Sequence, residues 1–185
     1  MRVAVALRSL KSRLSPKRFR RDENGAVAVE FGMVALPFFA LLFSIIEISL
    51  SFFSNQILET AVSEASRLIM TGQAQNSGMT ALQFRTAVCD RLPAMFDCEN
   101  NLSIDVRTAA NFNAADVSRP IINGALAWTP QFDPGDPEEL VIVRAAYAIP
   151  VLTNFYGASL ANLNDGRMLI LASTSFRNEP YEPTP

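Results

Sequence analysis

The chain has 185 residues, 49% of them hydrophobic, with two cysteines, no histidine and a formal net charge of −2. That length holds one ordinary domain with an appendage and not two large domains. The lack of histidine removes the usual general base of serine and cysteine hydrolases and most metal-ligand sets. The small net charge conceals a division: residues 1–25 carry eight of the sixteen basic residues against Asp22 and Glu23, a net +6, which leaves −8 for residues 26–185.

Residues 1–25 show no sustained helical or strand period after MRVAVALRSL, and read as a basic leader or cytoplasmic tail. Under the positive-inside rule, basic residues ahead of an apolar run stay on the cytoplasmic side. A nucleic-acid arm is the other reading of such a segment. The adjoining apolar run decides against it, and no nucleic-acid partner is expected.

A long helix is expected over 26–74. No side chain from Phe31 to Ile46 is charged, and the run continues through Glu47 to Phe53. As helix, residues 31–53 span roughly 34 Å at about 1.5 Å per residue, enough to cross a hydrocarbon core of about 30 Å. Pro37 is tolerable there, because neighbours and water can satisfy the freed carbonyl. Beyond the run the pattern becomes amphipathic: Ile57, Leu58, Ala61, Val62, Ala65, Leu68 and Ile69 fall at helical spacing, opposite Gln56, Glu59, Ser63, Glu64 and Arg67. One helix on the order of 70 Å thus begins in lipid and ends against a domain, with Gly72 and GQAQNSG marking its end.

Residues 75–185 read as a periplasmic or extracellular α+β domain. A short helix is expected in TALQFRTAVCDRL, with Thr80 as N-cap, Leu82, Phe84, Val88 and Leu92 as apolar contacts and Pro93 as terminator. Three strands follow. In LSIDVRT, Leu102, Ile104 and Val106 alternate with Ser103, Asp105 and Arg107, the pattern of a half-buried antiparallel strand. ELVIVRAAYAIPVL puts Val141, Val143, Ala145, Tyr147 and Ile149 on one face, and RMLILASTSFRN is apolar at first and polar later. Between the first two strands, residues 109–138 form a long Asn-, Asp-, Pro- and Gly-rich connection. Its Trp128 reads either as a plug over the edge of the core or as a partner contact. The tail YEPTP is expected to be frayed.

Cys89 and Cys98 lie in the part assigned to an oxidising compartment, where a disulfide is favoured over two free thiols. Closing so short a loop contributes about 2 to 3 kcal/mol on the chain-entropy estimate. Two sulfurs without histidine do not suggest zinc, and DPGDPEE lacks the regular ligand spacing of a calcium loop. No phosphate-cradling glycine motif is present. No catalytic residue, metal or cofactor is expected, and the chain does not read as an enzyme.

One feature is left over, a glutamate at the threshold of the apolar run. Ala26 and Glu30 are four residues apart and share a helical face about one turn apart. If the backbone were cut after Gly25, the new ammonium at Ala26, or that of a neighbouring copy, would lie beside this carboxylate and offset much of its desolvation cost. Glu30 would also enter the first turn of the new helix, where the macrodipole favours an anion. Glu47 lies seventeen residues further on, about 25 Å along a helix and offset by about 100° around it. It therefore does not share a contact line with Glu30, and it either reaches water at the far interface or packs within an assembly.

A basic leader, a glycine, four small apolar residues and then Glu-Phe leading a hydrophobic helix, here G|AVAVEF, resemble a type IV prepilin processing site. More narrowly, GAVAVEF, the IIEI step around Glu47, ASR at 65–67 and the closing FRNEPY resemble the TadE-like pseudopilins of the Tad, or tight-adherence Flp-type, pilus system. The resemblance implies cleavage after Gly25 by a prepilin peptidase, with Ala26 as the new N-terminus and Glu30 as the fifth mature residue. It further implies the bacterial inner membrane, other Tad pilins or pseudopilins and the pilus assembly platform as partners, and a role in building an adhesive pilus for surface attachment and biofilm. Phe31 in place of the tyrosine usual in major Flp pilins, together with a sizeable ectodomain, points to a minor pseudopilin. The alternatives are an uncleaved single-pass anchor carrying a binding or scaffold domain, and a secreted protein cut near Ser51.

Overall fold

The computed structural model describes residues 23–111, 120–151 and 160–182. Most of the basic leader, the middle of the long connection at 112–119, Leu152 at the end of the second expected strand, and the last three residues lie outside them. Four helices, α1 (Glu23–Met70), α2 (Gln73–Asn76), α3 (Ala81–Cys89) and α4 (Cys98–Asn101), precede or join five strands. These are β1 (Leu102–Ala109), β2 (Ile121–Ile122), β3 (Ala125–Leu126), β4 (Leu140–Pro150) and β5 (Arg167–Arg177). The fold is α+β, as expected: a long apolar N-terminal helix, whose later part packs on a three-stranded antiparallel sheet, with short accessory helices. The chain divides into two compact units, Met1–Ile45 and Ile46–Pro185.

In the first unit the described residues are all helix. Pro37 does not interrupt α1, and Ser44 returns its hydroxyl to the Ala40 carbonyl at 2.8 Å, which keeps a polar group satisfied on an apolar helix. Phe38, Phe39 and Phe43 contact one another along it. Its large apolar side chains are exposed, Phe31, Met33 and Val34 each by at least 70%. Water is a poor solvent for such a surface, and α1 is long and apolar enough to cross a membrane, with mean hydropathy 2.2 over its apolar window.

In the second unit, α1 becomes amphipathic where its spacing predicts. Leu58, Ala61, Val62, Ala65 and Ile69 are buried against the sheet, and Ile57 packs at the margin. The helix ends at Met70 rather than near Ala74, because Gly72 adopts φ +75°, a left-handed conformation that breaks the helical path. A Cβ on Gly72 would also lie 2.4 Å from the Tyr181 ring. Tyr181 is therefore packed rather than frayed. The same closing segment pins the helix end: the Glu179 N–H donates to the Met70 carbonyl at 2.8 Å, and the Asn178 amide donates to the Pro134 and Asp136 carbonyls at 2.9 Å each.

Thr80 caps α3 with a full capping box, exchanging hydrogen bonds with Gln83. Phe84 and Val88, one turn apart, enter the core, whereas Leu82 is 69% exposed, contrary to its expected contact. Two residues before Phe84 it points to the opposite side of the helix. Pro93 is not the terminator. The helix stops at Cys89, and the chain tightens through Arg91 N–H to Val88 and Leu92 N–H to Cys89.

The sheet order is β1-β4-β5, with Val106 opposite Val143 and Ala145 opposite Ala172. The faces assigned to β1 and β4 hold: Leu102, Val106, Val141, Val143, Ala145 and Tyr147 join the α1 core. The opposite face is not solvated. Ala146, Ala148 and Leu169 form a second cluster, covered by Ile121, Leu126 and Trp128 from the long connection, whose β2–β3 hairpin was not foreseen. Residues 131–133 also follow β1 in parallel, with Val106 N–H bonded to the Gln131 carbonyl and Asp133 N–H to the Val106 carbonyl. Trp128 is a plug, donating its indole N–H to Ser103 Oγ at 2.9 Å beneath the Arg144 guanidinium, which is 5.1 Å from its ring centre.

Under this second layer lies Asp105, fully buried. Its carboxylate accepts from Arg144 Nη2 at 2.8 Å, Arg107 Nε at 2.9 Å and the Gln131 N–H at 2.9 Å. Asp105→Ala removes the buried acceptor shared by Arg144, Arg107 and the Gln131 N–H and should cost about 3 to 5 kcal/mol. Arg107→Ala, at a partly exposed position, should cost under about 1 kcal/mol. Urea unfolding of the detergent-solubilised chain measures both, and equal losses would contradict the central place given to Asp105.

Candidate functional site

The segment singled out by its sequence, residues 25–31, lies in the first two turns of α1. Glycine at 25 leaves open space around the backbone: a Cβ there would meet no atom within 4 Å. Ala26 and Glu30 are exposed, one turn apart, and Glu30 sits among the exposed apolar side chains of Val27, Val29 and Phe31. These residues can present a scissile bond and, after a cut, a carboxylate one turn from a new ammonium. The first N–H groups of any helix lack partners within it, so opening this turn for a peptidase sacrifices few hydrogen bonds.

Glu47, the other acidic residue of the apolar run, belongs to the second unit. It lines a cleft of about 190 Å³ together with Leu50, Ser51, Tyr147 and Met168, where α1 passes the ends of β4 and β5. Ser51 donates to Met168 Sδ at 3.3 Å. The cleft walls come from four separate parts of the sequence, and no local motif announces them.

Cys89 and Cys98 form a disulfide with a Cα–Cα distance of 6.0 Å. Arg85 reinforces the same junction, donating to the Cys98 carbonyl and, at 2.7 Å, to the Glu99 carbonyl. The Asp97 N–H donates to the Tyr147 hydroxyl at 2.8 Å, and the Tyr147 ring packs 4.9 Å from that of Phe96. Burial pushes the Tyr147 phenol above its ordinary value, so it stays protonated at neutral pH. The Asn100 side chain holds the Asp97 carboxyl below its usual range. The disulfide, Arg85 and Tyr147 together fasten the loop between α3 and β1 to the sheet.

Among the described residues no group of three or more acidic or cysteine side chains is placed to hold a metal ion. Asp133 accepts from Thr108 at 3.0 Å and from the Gly135 N–H, and Glu139 accepts from the Asp136 N–H, so these two carboxylates of DPGDPEE shape the turn and tie it to β1.

An exposed apolar helix running into a small disulfide-bonded α+β domain is the architecture of a membrane-anchored protein. Residues 25–67 match the model of the TadE-like protein family, the family that the sequence resembles. The match covers the apolar part of α1 and most of its amphipathic part, and neither the sheet nor the disulfide. No curated protein and no solved structure matches the chain significantly.

Replacing both Cys89 and Cys98 by serine should lower stability by about 2 to 3 kcal/mol while leaving the fold intact. Denaturant midpoints of the wild-type and double-serine chains test this, and an unchanged midpoint would show that Arg85 and Tyr147 suffice to hold the loop.

Proposed function

We propose that the chain is a minor pseudopilin that takes part in the biogenesis of a Tad, Flp-type adhesive pilus. In this reading it is stored in the bacterial inner membrane as a single-pass protein, with its N-terminus cytoplasmic and its C-terminal domain periplasmic. Residues 1–25 are a cytoplasmic leader, 26–74 the helix with its span at 31–53, and 75–185 the external domain. A prepilin peptidase removes the leader after Gly25, and the mature chain contributes to surface attachment and biofilm through other Tad pilins and the assembly platform.

The observation that carries the reading is Glu30, an exposed carboxylate among apolar side chains, one turn beyond an unobstructed glycine. A charge there is costly in lipid unless it is paired. Cleavage supplies an ammonium at Ala26, either its own or that of a neighbouring copy, and the helix macrodipole adds to the attraction. The +6 leader supports the cytoplasmic placement of the N-terminus.

A second reading, an uncleaved single-pass anchor carrying a periplasmic binding or scaffold domain, is favoured by the helical state of Gly25, since peptide bonds are cut in extended rather than helical backbone. Gly25→Leu separates the two. With a peptidase that needs the small residue, this variant should accumulate at full length while the wild type is shortened, as read by immunoblot from the native host. Glu30→Ala should still insert in the membrane but lose piliation or co-purification with partner pilins. Normal piliation in that mutant would remove the role given to Glu30.

A further inference from the structure

Beside residues 50–53 of α1 the second unit carries apolar side chains that the core leaves partly exposed. Met95 is 66% exposed and Leu160 is exposed, and both line the cleft beside Leu50 and Ser51 with Val151 and Met168. On α1 itself, Phe52 and Phe53 are exposed at the same level. Among the described residues the cleft lining contains one charged group, Glu47, and no lysine or arginine.

The level of this face along α1 follows from a contact. Met168 accepts from Ser51 at 3.3 Å, and Ser51 lies two residues, or about 3 Å, before the end of the 31–53 span. The headgroup layer outside a hydrocarbon core is on the order of 5 to 7 Å thick on each side. Side chains beside Ser51 cannot stand clear of that layer if α1 spans the bilayer. Phe52 and Phe53 are exposed at the end of the apolar run, and an exposed apolar patch beside them is suited to lipid.

We infer that the face formed by Met95, Val151, Leu160 and Met168 is a lipid-docking surface, seated in the headgroup layer of the bilayer that α1 crosses. The inference rests on the membrane-spanning reading of α1. Docking by this face restrains the tilt of the domain on the membrane, so the ectodomain is held at the surface rather than swinging from a tether. With no basic side chain among the described residues of the lining, the attraction is to the apolar margin of the bilayer.

The test uses the full chain in phosphatidylcholine vesicles whose acyl chains are brominated close to the headgroup, which quench a nearby indole. Met95→Trp and Leu160→Trp are each compared with the wild type, which carries only Trp128. Phe52→Trp marks the depth of the span, and Arg67→Trp, fourteen residues beyond Phe53 and about 21 Å further along the helix, marks the aqueous side. The docking surface predicts quenching of the added indoles at 95 and 160 close to that at 52, with none at 67. Quenching at 52 but not at 95 or 160 overturns the inference and leaves the span intact. A blue-shifted but unquenched indole at 95 also overturns it, because protein rather than lipid would then cover the face. No quenching at 52 overturns the spanning reading itself, and the inference with it.

Discussion

Everything in this protein depends on one helix that must satisfy two solvents. Up to Ile45, α1 presents large apolar side chains outward. Beyond Phe53 the apolar positions narrow to the face made by Leu58, Ala61, Val62, Ala65 and Ile69, which is buried against the sheet. The apolar face of a sheet must be buried against another element. The domain therefore cannot be separated from its helix without exposing Val106, Val141, Val143 and Ala145, and the anchor is also the largest element of the core.

The rest of the domain locks this packing from both ends. At the far end, Glu179 bonds the last carbonyls of α1, while Tyr181 lies on Gly72 where no side chain would fit. At the near end, the disulfide, Arg85 and Tyr147 hold the α3–β1 loop against the sheet. On the side away from α1, the long connection folds back over β4, and the buried Asp105–Arg144 pair joins it to the sheet through the Gln131 N–H and Trp128. A buried ion pair is seldom a net source of stability, but its geometric demands exclude other registers for the strands it joins.

Features with a local cause were legible in the sequence: the apolar run and its change to an amphipathic stripe, the Thr80 cap, the alternation in β1 and β4, and the closure of Cys89 on Cys98. What escaped was set by contacts distant in sequence. Alternation assigned Asp105 to a polar face but could not reveal that the long connection covers it, although Ile121, Leu126 and Trp128 are apolar residues a solvated loop has no use for. Tyr181 looked like part of a polar tail because its partner, Gly72, is more than a hundred residues away. The cleft beside Ser51 likewise draws on α1, the α3–β1 loop and the ends of β4 and β5.

In the proposed function, a cut after Gly25 gives both the glycine and the glutamate at the start of α1 a physical role. Uncut, Glu30 is a carboxylate at the edge of an apolar surface; after a cut it would lie one turn from an α-ammonium that the uncut chain lacks. The most direct test is the intact mass and N-terminal sequence of the protein recovered from its native membrane, beside the same protein from a strain lacking the prepilin peptidase. A chain beginning at Ala26 in the first and carrying its leader in the second is the predicted result. A retained leader in both would contradict the pseudopilin account and leave a plain membrane anchor.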